Sequence, residues 1–325
     1  MIKKILGFGA VLWDLSVNVD YSFLKKLNIK KSSYAEIDFQ TINELLNLVE
    51  SAGASVIENP GGSCANVMSN LAKLGSSASF CGRHGDDVAG RRFMNILKKD
   101  GVQTRSILDY QKSTGMVFSF ITPDKDRTFR TYIGASDILP AESIDESMVK
   151  KADNIHIEGY LMSNSVEALW KIFEVGDKIS FDLAAESLIL KRRTELQKLM
   201  TAHPAFILSA NIHEGRAFTQ KEELEDVIDR MLDFSEIAVV TLGEKGAYGT
   251  TKNGELHFQP AIHTIPADTT GAGDSFCAGF LHDFLKSGDI KKGMETGTQT
   301  ASLTISKIGA RSLERKQLKH FIKES

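Results

Sequence analysis

Short apolar runs alternate with helical patterns along most of this chain, and that alternation restricts the fold more than any other feature. Strands are expected at Ile5–Leu12, Ala78–Gly82, Asn154–Glu158, Lys178–Leu183, Phe206–Ala210 and Ile237–Leu242. Helices are expected at Ser63–Leu74, Gly90–Lys99, Ser165–Glu174, Lys221–Leu232, Gly273–Lys286 and Lys291–Ser306. Strands separated by helices argue for a mostly parallel sheet with helices on both faces. Ligands of such sheets sit beyond the carboxyl ends of the strands, and the motifs below fall at strand ends or helix starts. Two segments interrupt the pattern. Val17–Phe39 is mixed, and Thr114–Ile133 reads as two strands, Gly115–Ile121 and Arg127–Ile133, joined by Thr122-Pro-Asp-Lys-Asp126. That is a hairpin signal. The two segments form either a small separate sheet over a site or an edge extension of the main sheet.

The stretch Asp268-Thr-Thr-Gly-Ala-Gly-Asp-Ser-Phe-Cys-Ala-Gly-Phe-Leu281 carries the chemistry. Apolar residues recur at Phe276, Cys277, Phe280, Leu281, Phe284 and Leu285, a helical stripe. Gly271, Ala272 and Gly273 therefore stand where a helix begins. The first N–H groups of a helix lack internal partners, and the macrodipole adds positive potential there. Small residues let an anionic oxygen approach those groups. Asp274 lies in the first turn, so its carboxylate reaches the same spot. A base beside an anion hole suits a hydroxyl that loses its proton while attacking phosphorus. Taken alone, Asp274 also reads as a first-turn acid placed for the dipole, and Asp268 as a turn or cap residue.

Other classes fall away on composition and motif. The 325 residues are 42% hydrophobic and 25% charged, with net charge -3, so neither a nucleic-acid nor a membrane-surface partner is expected. No apolar run approaches the roughly 20 residues of a membrane span. Met1–Gly7 reads as the start of a first strand, not a signal peptide. Cys64, Cys81 and Cys277 are too scattered for a disulfide framework. A reduced, cytoplasmic protein is the expectation. Gly7-Phe-Gly9 lacks the third glycine of a dinucleotide fingerprint, and no G-x-x-x-x-G-K-[ST] loop exists.

The string from Asp268 to Phe276 resembles the second signature of the ribokinase-like (PfkB) carbohydrate kinases. The first signature is matched by Asn59-Pro-Gly-Gly-Ser-Cys-Ala-Asn66, Leu71–Gly75 and Gly82-Arg-His-Gly-Asp-Asp87-x-x-Gly90. Asn211-Ile-His-Glu214 and Thr241-Leu-Gly-Glu-Lys-Gly-Ala247 are further matches, in the family's order and over nearly the whole chain. The resemblance implies one α/β domain over 1–325, a ribokinase-like three-layer sandwich. A small β-sheet lid of about 14–39 and 105–135 would be inserted in it.

The resemblance also implies roles. Asp274 would deprotonate the acceptor hydroxyl while the backbone of Gly271, Ala272 and Gly273 holds the transferring phosphate. Asp14, at the end of the first strand, and Gly61, Gly62, Ser63 and Asn66 would form the sugar pocket. Asn211, Thr241, Gly243, Gly246 and Gly309 would bind ATP. Glu214 would order Mg²⁺ through water, and Asp268 would ligate a monovalent cation such as K⁺. The segment Leu12–Ile29 and a helix at Thr41–Val49 are similar to the adenosine kinase branch. That likeness places Tyr160 against a purine and Arg127 against phosphoryl charge. Ala10 and Ser33-Tyr34 depart from that branch's base contacts, which leaves the base open. The acceptor is expected to be a nucleoside or sugar. A sugar phosphate held by Arg83 and Arg127 is the alternative, and a non-catalytic binding protein on the same fold is the third reading. The protein would act as a monomer or as a lid-mediated homodimer.

Overall fold

The structure, a computed structural model, describes residues 2–124 and 126–314. Met1, Lys125 in the expected hairpin turn, and the end of the expected domain at 315–325 lie outside the described residues. In chain order the elements are β1 (Lys4–Phe8), β2 (Leu12–Asn18), α1 (Tyr21–Lys26), β3 (Tyr34–Glu36), α2 (Phe39–Ser51), β4 (Val56–Pro60), α3 (Ser63–Leu74), β5 (Ser77–Gly85), α4 (Val88–Asp100) and β6 (Gln103–Asp109). There follow β7 (Gly115–Ile121), β8 (Arg127–Tyr132), α5 (Glu146–Lys151), β9 (Asn154–Glu158), α6 (Val166–Val175), β10 (Ile179–Asp182), α7 (Glu186–Ala202), β11 (Ala205–Asn211), α8 (Ile212–Thr219) and α9 (Leu224–Leu232). The chain then runs through β12 (Ser235–Thr241), β13 (Gly246–Thr251), β14 (His257–Pro260), α10 (Ala272–Ser287) and α11 (Ile290–Ile305).

A nine-stranded sheet takes the order β14-β13-β12-β11-β10-β9-β1-β5-β6. It is parallel from β6 to β12 and antiparallel at β13 and β14. Both faces of its centre are covered, so β1, β11 and β12 carry apolar residues on both sides. In β12, Ile237 and Val239 join one core with α3, α4, α10 and α11, while Ala238 and Val240 join the other with α6, α7, α8 and α9. Phe80 and Phe93 are fully buried in the first core, and each such ring contributes about 1.5–3 kcal/mol. α4 starts where Asp87 accepts from Gly90 N at 2.8 Å, a side-chain N-cap, and stops at Gly101 with φ +99. Among the described residues no helix is long and apolar enough to cross a membrane.

A second sheet, β3-β8-β7-β2-β4, stands over the first. It settles the question of the two interrupting segments: the hairpin β7–β8 is a separate sheet. Its borders differ from the expected lid. Residues 103–109 pair with β5 in the large sheet, and β4, outside the expected segments, pairs with β2.

The run expected as one strand at Ile5–Leu12 divides in two. β1 stays in the large sheet and β2 crosses into the small one. The backbone between them is committed elsewhere: Ala10 N donates to Glu158 Oε1 and Val11 N to Ser136 Oγ. A Cβ at Gly9 would also crowd Cys64 and Glu158. Asp14 therefore lies inside β2 of the small sheet, not at the end of the first strand. β1 sits between β5 and β9, so connections leave it in opposite directions. Such a switch point opens a crevice beyond the strand ends.

Candidate active site

That crevice holds a cavity of about 510 Å³. Its floor is a row of polar strand ends: Glu158, Asp182, Asn211 and Thr241 close β9, β10, β11 and β12 and all line it. The small sheet supplies the roof with Leu12, Tyr34, Val117 and Phe129, and Tyr160 adds a ring that is 48% exposed. Gly273 and Asp274 bring the tip of α10 to the wall.

Asp274 is held by α3. Ser63 Oγ donates to Oδ1 at 2.7 Å, and Asn66 Nδ2 donates to Oδ2 at 2.7 Å. Burial raises the Asp274 pKa, against the pull of the Asn66 and Ser63 hydrogen bonds and the Arg311 charge. Asn66 is itself gripped, since Arg311 Nε donates to its Oδ1 at 2.8 Å. α3 begins at Gly62, whose φ of +82 favours glycine. Glu158 completes that tip from the neighbouring strand, because its Oε2 accepts from Cys64 N at 2.7 Å. Asp14 lies so close to Gly61 that a Cβ there would run into its carboxylate. Burial raises Asp14 to about 7, with Arg311 and Arg127 pulling down and Asp274 pushing up.

The α10 tip divides its work between two glycines. Gly271, with φ +75, packs so tightly on Ala310 that a Cβ would collide with it. A Cβ on Gly273 would meet nothing within 4 Å. The N–H groups of Gly273 and Asp274 precede the first helical acceptors and so point toward the open side. Just before the tip, Asp268 forms an ion pair with Arg127 of β8 at 2.6 Å. Its Oδ1 also accepts from Thr270 N and Oγ1, and its Oδ2 accepts from Gly309 N at 3.1 Å. Partial burial pushes this carboxyl up, but the Thr270, Arg127 and Gly309 bonds win and hold it at about 2. Three donors crowd Oδ1 and one reaches Oδ2, so the protein itself already engages this carboxylate.

Glu214 presents a different case. With Asn211 it closes a capping box on α8: Asn211 N donates to Glu214 Oε2, and Glu214 N to Asn211 Oδ1. Burial, then the nearby Asp182 charge, raises Glu214 to about 8. Burial raises Asp182 to about 6, helped by Asp274 and opposed by the Ser209 hydroxyl. A carboxylate lifted by a neighbouring carboxylate at a cavity wall suits a divalent cation. Among the described residues no three His, Cys, Asp or Glu side chains converge on one point. Such a cation would keep waters and phosphate oxygens as ligands, as Mg²⁺ does.

Comparison with known proteins decides the family. The pfkB family carbohydrate kinase pattern matches residues 28–317. The chain belongs to the PfkB family of carbohydrate kinases. Like its relatives, this kinase acts with ATP on a sugar or nucleoside. It is 31% identical to a probable fructokinase-5 of Arabidopsis thaliana over 268 residues, 78% of this chain and 82% of that one. It is 27% identical to an ATP-dependent ribose-1-phosphate kinase of Halopiger xanaduensis over 315 residues, 95% and 94% of the two chains. The structure of an adenosine kinase from Sinorhizobium meliloti superposes with TM-score 0.87 at 24% identity, covering 100% and 99%. The fold is thus the ribokinase-like sandwich with a second, small sheet.

Within this PfkB kinase the sequence-predicted residues fall into two shells. Gly62, Ser63, Tyr160, Asn211, Thr241, Glu214, Gly273 and Asp274 line the cavity. Asp14, Gly61, Asn66, Gly271, Ala272, Arg127, Asp268 and Gly309 are not among its lining residues; Asn66 holds Asp274, and Arg127 and Gly309 hold Asp268. Gly243 (φ +61) and Gly246 (φ +121) shape the turn between β12 and β13, next to Thr241. Arg83, the other basic candidate for a sugar phosphate, is committed to Asp109 Oδ2 at 2.9 Å and to Ile138 O. Glu158, Asp182 and Arg311 were not singled out from the sequence. The first two carry a visible signal, an acid at the end of an apolar run. Arg311 stands in Lys307-Ile-Gly-Ala-Arg-Ser312, which resembles the family's nucleotide-flanking region, but its own contacts are to Asn66 and Gly61, 245 and 250 residues away.

Proposed function

We propose that this kinase transfers the γ-phosphate of ATP to a hydroxymethyl group of an uncharged ribose-bearing acceptor, a nucleoside before a plain sugar. The observation that carries the reading is Asp274, fixed by Ser63 and Asn66 beside the open N–H groups of the α10 tip. Asp274 takes the proton of the acceptor hydroxyl as its oxygen bonds to phosphorus, and the bond from phosphorus to ADP breaks. The Gly273 and Asp274 N–H groups face the charge that develops on the phosphoryl oxygens. Arg127, tethered beside the tip, adds positive potential. Glu214 and Asn211 would hold hydrated Mg²⁺, which when bound neutralises phosphate charge. The small sheet covers the acceptor and excludes water, limiting wasteful hydrolysis.

The acceptor follows from the lining. Tyr34, Phe129 and Tyr160 offer aromatic surface, and no lysine or arginine is among the described residues that line the cavity. A phosphorylated acceptor is the second reading, favoured by the likeness to a ribose-1-phosphate kinase. ADP release with ATP, Mg²⁺ and a panel of nucleosides, pentoses, hexoses and their phosphates separates the two. A nucleoside should give the highest kcat/KM. Turnover confined to phosphorylated sugars would overturn the uncharged acceptor, and no turnover with any acceptor would overturn the kinase step.

A further inference from the structure

We infer that Arg311 is a positioning residue that sets the orientation of the Asn66 amide and so fixes Asp274 for proton transfer. The inference rests on Asp274 being the base. An asparagine amide has an acceptor end and a donor end, and only its partners decide which way it faces. At Asn66 the decision is made by two bonds. Arg311 Nε donates to Oδ1 at 2.8 Å, which turns Nδ2 toward Asp274 Oδ2 at 2.7 Å. With the amide reversed, its oxygen would face a carboxylate oxygen and repel it.

Arg311 is built to hold that position. Its Nη2 donates to Gly61 O at 2.8 Å, so the same guanidinium also pins the glycine pair before α3. Its plane lies over Phe93, 5.1 Å from the ring centroid. Lys73 Nζ donates to its carbonyl at 2.7 Å. Nη1 is sealed from solvent with no hydrogen-bond partner in the structure. Burial draws the guanidinium down to about 10, with Asp100, Asp14 and Asp274 pulling it back up, so it stays charged at neutral pH. A lysine could keep the charge but could not reproduce the planar fork that reaches Asn66 and Gly61 together.

The charge reaches Asp274 as well as the amide. The groups facing Asp274 are Ser63 and Asn66 of α3, Arg311, and the carboxyls Asp14 of β2, Glu158 of β9 and Asp182 of β10. Cys64, Cys277 and Tyr160 complete the surround. Arg311 is the cation of that set. Its removal should therefore raise the pKa of the base, whereas a purely structural role would leave the pH profile in place.

The test is steady-state kinetics of the full chain with ATP, Mg²⁺ and its best acceptor. Arg311→Met should lower kcat about 10²-fold, keep KM for ATP within about twofold, and move the acid limb of kcat to higher pH. Arg311→Lys should lose rate but keep the acid limb near its original pH. At a pH above both acid limbs, the double variant Arg311→Met with Asn66→Ala should be slower than Asn66→Ala by much less than the loss in Arg311→Met alone, because the amide is the main route by which Arg311 acts. Wild-type kcat and acid limb in Arg311→Met would overturn the inference, and so would multiplicative losses in the double variant. If Arg311→Met does not fold, wild-type kcat in Arg311→Lys overturns it equally. Asp274→Asn separates the two levels: retained turnover there removes the underlying reading, whereas lost turnover there with a normal Arg311→Met removes only this one.

Discussion

Asn66 and Asp274, 208 residues apart in the sequence, meet through a 2.7 Å hydrogen bond from Nδ2 to Oδ2. That bond joins the start of α3 to the tip of α10, and with it the two halves of the cavity wall. The carboxylate is therefore oriented before any ligand arrives, which is what a base must have for its proton transfer to be fast. The same bond explains why Asn66 is buried behind the cavity wall instead of lining the cavity, where its place in the first signature had put it.

The two glycines of the α10 tip should respond differently to alanine. Gly271→Ala meets a positive φ and the Ala310 side chain, and should cost about 1–3 kcal/mol of stability. Gly273→Ala has room and should leave the melting temperature within about a degree or two. Its methyl would stand where phosphoryl oxygens approach, so kcat/KM for ATP should fall at least tenfold. Thermal melts and kinetics of both variants check this, and equal effects on stability would contradict it.

Helix tips such as these were legible in the sequence because their determinants are local. α3 runs over the expected Ser63–Leu74, and α10 extends the expected helix by one residue at each end, since glycines and an apolar stripe mark both. The break between β1 and β2 was not legible. It depends on Glu158, Ser136 and Cys64, which are remote in sequence. β4 was missed because Val56-Ile-Glu-Asn-Pro60 is half polar, as an exposed edge strand can be. α7 was missed for a related reason. It buries Ile189, Leu196, Leu199 and Met200 in 17 residues, too sparse a stripe to declare a helix. The motifs can be read from the sequence, but the division of their residues into lining and supporting ones follows from contacts that no spacing rule contains.

Tyr160 is the candidate for stacking on a base. Tyr160→Ala should raise KM for nucleosides by tenfold or more, on the scale of about 1–3 kcal/mol per stacked base. KM for ribose should change little. Initial rates over both acceptor types decide it, and an equal loss for nucleosides and ribose would exclude stacking.

The buried carboxyls make stability depend on pH. Glu214 titrates at about 8 in the folded chain against the ordinary glutamate value of 4.5, and Glu158 at about 7. A raised folded pKa means that the folded state binds more protons, so its contribution to stability is fully present below about pH 4.5 and is lost as pH rises to about 8. The melting temperature of the ligand-free protein should therefore decline from pH 6 to pH 8.5. Glu214→Gln should flatten that decline. Added Mg²⁺ should raise the melting temperature more at pH 8.5 than at pH 6, because only the ionised carboxylate attracts it. A Mg²⁺ effect independent of pH would contradict the assignment of Glu214.

The Arg127–Asp268 pair ties the small sheet to the loop before α10. Arg127→Met should loosen that tie, raising acceptor KM several-fold and increasing ATP hydrolysis in the absence of acceptor. Asp268→Asn should reproduce the change in KM. Replacing K⁺ by a bulky organic cation should leave the rate unchanged, because donors of the protein already engage both oxygens of Asp268. A strict K⁺ requirement would show that this carboxylate changes partners during turnover.

The most direct measurement is single-turnover phosphoryl transfer by Asp274→Asn beside calorimetric binding of ATP. The substitution keeps the size of the side chain and removes its capacity to accept a proton. Transfer should slow by about 10²–10⁴-fold, with ATP affinity within about threefold of the parent. Transfer at the parent rate, or a loss explained wholly by weaker ATP binding, would show that Asp274 is not the base.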